Sequence, residues 1–416
     1  MNGSMSNAHT PAANTPTASS PRPGRPRTDS PQGGDPEARS PGTGGPDTRS
    51  PGTGGPNPTE EQEALRAAVR SVLTRHEGAA AWPPLTRDIG IAALTIPEEY
   101  GGLGCPGRGE VHVVMQELGR ALSPVPYLGS AVLATDALIA AGNDEACARL
   151  LPPLARGEST AALAWAEAGA AGDGSRGSWE AADLTTTAQE SGNGGDWLLT
   201  GTKEYVLGGP DAPDVVLAPA RTPSGIALFE LRDPQGLFDP LPTMDRTRPL
   251  GRVVLDRAPA RPVSTEGARV LARVRDLACT ALAAEQVGAA ARALEITVQY
   301  TKDREQFGRP IGSFQAVKHR LADLYVLVEE ARSLALAATA ADAAPEPAAA
   351  AKAACSEAYQ KVAGEMIQLH GGIGITWEHP AHDHFKRAHS AAHLLGPAAS
   401  HRRRLARLLG LDAPYR

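Results

Sequence analysis

Arg304, in the run YTKDREQFGRPIGSFQAVKHR (Tyr300–Arg320), is the side chain whose type and setting most clearly offer chemistry. Helical periodicity runs into Gly308 and Pro310, turns, and restarts near Ser313, which can cap the new helix. A guanidinium at one helix end, beside free backbone amides at the next helix start, suits a pyrophosphate. Its charge is permanent and its fork bonds two oxygens at once. Gln306 and Gln315 add amide hydrogen bonds. On spacing alone an ordinary charged helix hairpin would read the same.

Farther along, Gly371 and Gly372 follow QLH. Without Cβ atoms their backbone can approach a phosphate or an adenine, and either can take positive φ. A helix C-cap after His370 accounts for them equally well. Seven of the eleven histidines lie between His370 and His401. His382 and His384 would share a face in a strand, His389 and His393 in a helix. No cysteine or paired carboxylate joins them at metal-ligand spacing, so they read as surface or interface residues and no metal site is expected. The Arg402-Arg403-Arg404 cluster reads as a solvated helix end with favourable dipole placement, more simply than as a phosphate contact.

The elements that must hold these residues are legible from composition and period. Residues 1–58 are rich in Pro, Gly, Ser, Thr and Asn, and RSPGTGGP occurs twice. Such a segment cannot bury enough apolar surface to offset its chain entropy, which predicts a disordered tail. From Thr59, a Thr cap, acidic residues in the first turn and Leu65, Val69 and Leu73 on one face open a helical domain over 59–158. Further helices are expected at about Gly109–Ala121, Gly129–Ala141 and Asp144–Ala155. Over 159–264 short β-rich runs (ALAWAEAG, DWLLTGTKEYVL, DVVLAPART, GIALFEL, RVVLDRA) predict a mostly antiparallel sheet domain. Over 265–416 Ala-rich helices at about Arg269–Asp303, Ser313–Ala341, Glu346–Leu369 and His389–Leu409 predict a helical bundle. The fold class is therefore α+β.

With 416 residues the chain can bury a substantial core, and a net charge of -6 gives no footprint for nucleic acid. The four cysteines are far apart, with no CxxC pair, so no disulfide framework is expected. No apolar run reaches the ~20 residues of a membrane-spanning helix. A cytoplasmic protein, with no membrane partner, is the expectation.

The Tyr300–Arg320 run resembles the C-terminal signature of the acyl-CoA dehydrogenase family. So, in the family order, do IPEEYGGLG, ELGRALSPVPYLGSAVLA, LTGTKEYVLGG and QLHGGIGITWEHPAHDHFKRAH elsewhere in the chain. The resemblance implies N-terminal helices, a central β-domain and a C-terminal four-helix bundle, assembled as a dimer or a dimer of dimers with FAD at a subunit interface. It implies that Arg304 and Gln315 contact FAD, and that Gln368, Gly371 and Gly372 meet its ADP part from the neighbouring chain. EAGAAGD (Glu167–Asp173) and KEYVLGG (Lys203–Gly209) resemble the segments that flank the flavin ring, with Tyr205 where an aromatic residue covers it. Ala166, Gly172 and Leu207 stand where hydroxyl residues are usual, which implies weakened or retuned flavin binding.

The family's reaction needs a carboxylate to take a proton from the carbon beside a thioester carbonyl while a hydride leaves the next carbon. Gap-free matching brings Leu395, followed by Gly396, to the usual place of that base, and Ala278 to the alternative place. Asp276 points roughly 200° away on a helix of ~100° per residue. Glu285 is the better acidic stand-in. The expected function is an FAD-dependent oxidoreductase acting on an acyl-CoA or carrier-bound acyl thioester. It would work as a homodimer or homotetramer, or paired with a second such subunit that supplies a base, passing electrons to an electron-transfer flavoprotein or to oxygen. A non-catalytic structural subunit and a flavoprotein with altered chemistry are the alternatives.

Overall fold

The computed structural model describes residues 58–167, 179–192 and 195–411. The Pro/Gly-rich tail and most of EAGAAGD, Gly172 included, lie outside the described residues. Helix α1 (Glu60–Arg75) starts with the capping box read from the sequence. Thr59 Oγ1 accepts from Gln62 N at 3.2 Å, and Gln62 Oε1 accepts from Thr59 N at 3.3 Å. A short α2 (Trp82–Pro84) leads to α3 (Gly109–Arg120). The helix expected from Gly129 begins instead as a π-helical stretch, Leu128–Ala134, that runs into α4 (Thr135–Ala141). An Asn143 cap then starts α5 (Asp144–Ala155).

The central segment forms one seven-stranded sheet of β1 (Ala161–Leu163), β2 (Thr187–Glu190), β3 (Trp197–Val206), β4 (Val215–Thr222), β5 (Gly225–Leu231), β6 (Phe238–Pro240) and β7 (Gly251–Ser264). The strands pair in the order β1-β4-β2-β3-β7-β5, and β4 also pairs with β5, so five strands close into a ring. Pairing is antiparallel except where β4 meets β1 and β2. Alternation along the strands separates two cores. Val216 and Ala218 of β4 join Leu199, Phe229, Val253 and Ala260 in a core within the β-domain. Leu217 between them joins the main core shared with the helices.

The C-terminal bundle comprises α6 (Gly267–Asp303), α7 (Gln315–Ala340), α8 (Pro345–His370), α9 (Ala381–His393) and α10 (Ala398–Leu408). A two-stranded hairpin, β8 (Glu305–Gln306) and β9 (Arg309–Pro310), separates α6 from α7. The Ala-rich composition follows from close packing: Ala283, Ala335, Ala338, Ala351 and Ala358 fill one interhelical core. Where α3 crosses α6 the backbones touch. A Cβ on Gly119 would sit 2.1 Å from Glu285 O, and one on Gly288 would sit 2.0 Å from Gln116 O.

Two expectations need correction. Ser313 does not cap α7; its hydroxyl donates to Pro310 O at 2.7 Å, and Phe314 takes the N-cap position through its extended backbone. The single helix expected over His389–Leu409 is two helices, because Leu395 (φ 61°) and Gly396 (φ 100°) turn the chain ahead of Pro397.

Candidate functional site

The ends of α6 and α8 lie side by side. Tyr300, one turn before the end of α6, donates its hydroxyl to His370 O at 3.3 Å and stacks its ring on His370 at 4.2 Å. Arg304 follows as the C-cap of α6, with its N–H on Tyr300 O at 2.8 Å. Gly371 caps α8 at φ 60°, ψ -138°, backbone territory that glycine alone enters without strain. The turn before α7 folds back onto α6, with Ile311 N donating to Arg304 O at 2.8 Å. One end of the bundle therefore presents Arg304, Gln315, Gln368, Gly371 and Gly372, all exposed. Among the described residues no acidic partner engages the Arg304 guanidinium. Gln306 turns its amide onto Glu305 O at 2.7 Å. His379 packs 4.3 Å from His370, and burial lowers the pKa of both imidazoles. The donor set and the open glycine backbone fit an adenosine diphosphate group.

The ring-side segments are arranged differently. Lys203 is fully buried in an ion pair with Glu167 and also donates to Pro219 O at 2.7 Å. Burial lowers the amine to about 8 against the opposing pull of Glu167. Glu167 in turn accepts from Thr185 and Thr186, which fixes the ends of both segments. Tyr205 sits at φ 54° within a register shift between β3 and β7, half-buried against the main core. Leu207, 7% exposed, packs onto the π-helical stretch so closely that a Cβ on Gly129 would lie 2.0 Å from its carbonyl oxygen. Positions 166 and 207 thus present buried apolar side chains and no hydroxyl.

No acid occupies either expected place of the base. Leu395 is buried, and its carbonyl accepts from His401 Nε2 at 3.0 Å. Ala278 is fully buried within α6. Lys352 holds the turn around Leu395 from beneath. Its amine reaches Ser356 Oγ at 2.9 Å and the carbonyls of Ala391, Ala392 and Gly396 at 3.3 Å. Burial lowers this amine to about 8. Asp276 is paired with Arg404 at 2.6 Å. Glu285, the acidic stand-in, is buried in an ion pair with Arg248, and Arg387 lies 3.5 Å from the same carboxylate oxygen. Its carboxylate is held between two guanidinium groups and also lines a cavity at this junction.

Sequence reasoning missed Arg248, Arg387, Asp245 and Lys352. Buried charges leave no periodic signal; only the apolar neighbours Ala388, Ala391 and Ala392 hinted that the Arg387 face of α9 points inward. The histidines also need correction. His370, His384 and His401 are buried rather than superficial, and His384 Nδ1 meets the Tyr359 hydroxyl at 3.1 Å. His382 and His384 lie on helix α9, so they do not share a face. The arginine cluster is likewise engaged, with Arg402 on Glu357 and Arg404 on Asp276. Among the described residues no group of His, Cys, Asp and Glu is placed to hold a metal, the four thiols are free, and no helix is long and apolar enough to cross a membrane.

Comparisons with known proteins agree with this geometry. The model for the acyl-CoA dehydrogenase N-terminal domain matches residues 59–158, and that for the C-terminal domain matches residues 265–410. The chain is 40% identical over 353 residues to the acyl-CoA dehydrogenase IpdE2 of Mycobacterium tuberculosis, covering 81% of this chain and 94% of that protein. Among solved structures it resembles the ChsE4-ChsE5 complex from Mycobacterium tuberculosis, with a TM-score of 0.72 and 32% identity over 86% of this chain and 99% of that one. A Tcur3481-Tcur3483 steroid ACAD variant gives a TM-score of 0.73 and 32% identity over 84% of this chain and 98% of the other. Domain models matched across both helical parts, and 40% identity to a curated acyl-CoA dehydrogenase over 81% of the chain, place this chain in the acyl-CoA dehydrogenase family.

Proposed function

We propose that this chain is one subunit of a two-chain, FAD-dependent oxidoreductase that acts on the α,β-carbons of an acyl thioester. The observation that carries the reading is the contrast between the two halves of the site. Arg304, Gln315, Gln368, Gly371 and Gly372 are present and exposed, while Ala166, Gly172 and Leu207 carry no hydroxyl and the base position is Leu395. In this reading Arg304 holds the pyrophosphate, and Gln368, Gly371 and Gly372 meet the adenosine diphosphate part of the flavin across the subunit interface. Tyr205 gives the ring side an aromatic contact, and the proton acceptor comes from the partner subunit. When bound, FAD supplies the hydride acceptor. An electron-transfer flavoprotein or oxygen then takes the electrons. Two of the similar structures bear names of paired proteins, and one of these is called a steroid ACAD, which supports a bulky acyl group on CoA or a carrier.

The test is flavin content by visible absorption, with the chain alone and co-expressed with an acyl-CoA dehydrogenase-like partner. The expected result is little or no flavin on the chain alone. The pair should be yellow and bleach with an acyl-CoA under anaerobic conditions. Arg304→Ala in this chain should lower the flavin content of the pair about tenfold or more, given the strength of a charge-assisted phosphate contact. A chain that binds flavin stoichiometrically by itself and bleaches with an acyl-CoA would overturn the two-chain reading.

A further inference from the structure

A cavity of ≈ 30 Å³ lies where the N-terminal helices, the β-domain and the bundle meet. Four buried polar atoms of the residues lining it have no hydrogen-bond partner in the chain: Ser123 Oγ, Arg248 Nε, Arg248 Nη1 and Arg387 Nε. Buried polar groups are rarely left unpaired, so four at one cavity ask for a ligand. Three are obligate donors and the fourth is a hydroxyl able to donate. They call for an oxygen acceptor.

The surrounding charge decides what kind. Arg248 and Arg387 are balanced by Glu285 and Asp245, and Asp245 Oδ2 lies 3.7 Å from Arg387 Nε. Two cations and two anions leave no net charge. A carboxylate would add an uncompensated negative charge in a buried setting, whereas a carbonyl oxygen would not. A hydrocarbon end would leave the donors unmet. Size sets the rest, because such a cavity admits about a water's worth of atoms, an oxygen and little more. Pro124, Leu128, Leu207 and Gly209 line it as well, so the walls away from the charged groups are apolar.

We propose that this cavity receives the neutral keto oxygen of an otherwise apolar acyl group, a second carbonyl beside that of the thioester. The inference rests on the acyl-thioester reading above and narrows its substrate class. Leu207 and Gly209 belong to the segment expected beside the flavin, which places the cavity next to that site.

The experiment is calorimetric titration of the co-expressed, flavin-loaded pair with 5-oxohexanoyl-CoA, hexanoyl-CoA and glutaryl-CoA. The keto thioester should bind about tenfold or more tighter than hexanoyl-CoA, and glutaryl-CoA no tighter than hexanoyl-CoA. Ser123→Ala and Arg248→Lys should each abolish the keto preference while leaving hexanoyl-CoA affinity in place; the lysine keeps a cation opposite Glu285 so that the fold survives. Equal binding of the keto and plain thioesters would overturn the cavity assignment, with water meeting the donors, and leave the acyl-thioester reading standing. A keto preference that survives both variants, or tighter binding of glutaryl-CoA, would also overturn it. If the pair binds none of the three thioesters, the acyl-thioester reading falls and this inference with it.

Discussion

Glu285 shows how a residue's role depends on neighbours that the chain brings from far away. In sequence it is an acid in the middle of a long helix; in the fold it lies between Arg248 and Arg387. Removing one member of such a buried pair leaves opposite charge uncompensated, so Glu285→Ala should cost about 3–5 kcal/mol in urea denaturation. Native stability in that variant would contradict the structural role. Lys352 carries the opposite burden, a cation held by carbonyls and a hydroxyl with no carboxylate among its hydrogen-bond partners. Its amine falls from 10.5 to about 8 through burial. Between those values the unfolded chain binds the proton that the folded chain does not, so stability rises with pH across this window. Thermal melts of the native chain and Lys352→Met should therefore show the native chain gaining relative to the variant from about pH 8 to about pH 10.5, with a constant difference below pH 8. A constant difference across the whole range would contradict the burial. Sequence offered Glu285 only as an acid and left Lys352 unremarked, because a buried charge is defined by distant partners. Arg304, at the end of a helix that breaks at a Gly-Pro hairpin, was legible for the converse reason: its setting is local.

At the level of elements, the sequence carried the long helices well and their junctions poorly. Periodicity over two dozen residues averages out local detail, and the observed α6, α7 and α8 begin and end within about two residues of the expected positions. The break between α9 and α10 hangs on Leu395, a non-glycine residue with positive φ, while Gly396 and Pro397 were available as a stop signal. The cap of α7 was misplaced by one residue because a serine's capping tendency lost to its turn bond with Pro310. What periodicity could not give is the backbone contact between α3 and α6. Gly288 meets Gln116 O there with no room for a side chain. Gly288→Val should destabilise the chain by about 1–3 kcal/mol or more through overpacking, measured by the shift in denaturation midpoint at unchanged slope. A neutral result would mean that the two helices can separate freely.

Over residues 58–411 the scaffold leaves several large apolar side chains exposed. Its fold could be read from the alternation of helix, sheet and helix, but the closure of five strands into a ring could not, since strand order depends on non-local pairing. The exposed apolar side chains gather in the bundle half: Phe307 at the hairpin tip is 93% exposed, and Tyr325 and Val326 on α7 are 59% and 53% exposed. A hairpin that holds Phe307 at φ 55° and a helix that turns adjacent large apolar residues outward are costly for an isolated chain, and they are what a subunit interface would cover. If the adenosine diphosphate cradle works across that interface, assembly and cofactor retention must fail together. The double substitution Tyr325→Glu with Val326→Glu puts two charges on the exposed face without touching Arg304, Gln368 or Gly371. It should leave the circular dichroism melt of the chain within a few degrees of native, since exposed surface changes rarely move stability by more than about 0.5 kcal/mol. In the co-expressed pair it should shift the light-scattering mass to that of single chains and remove the flavin absorbance in the same fractions. Loss of assembly with flavin retained on either separated chain would show that one subunit holds the cofactor unaided, and would confine α7 to a purely architectural surface.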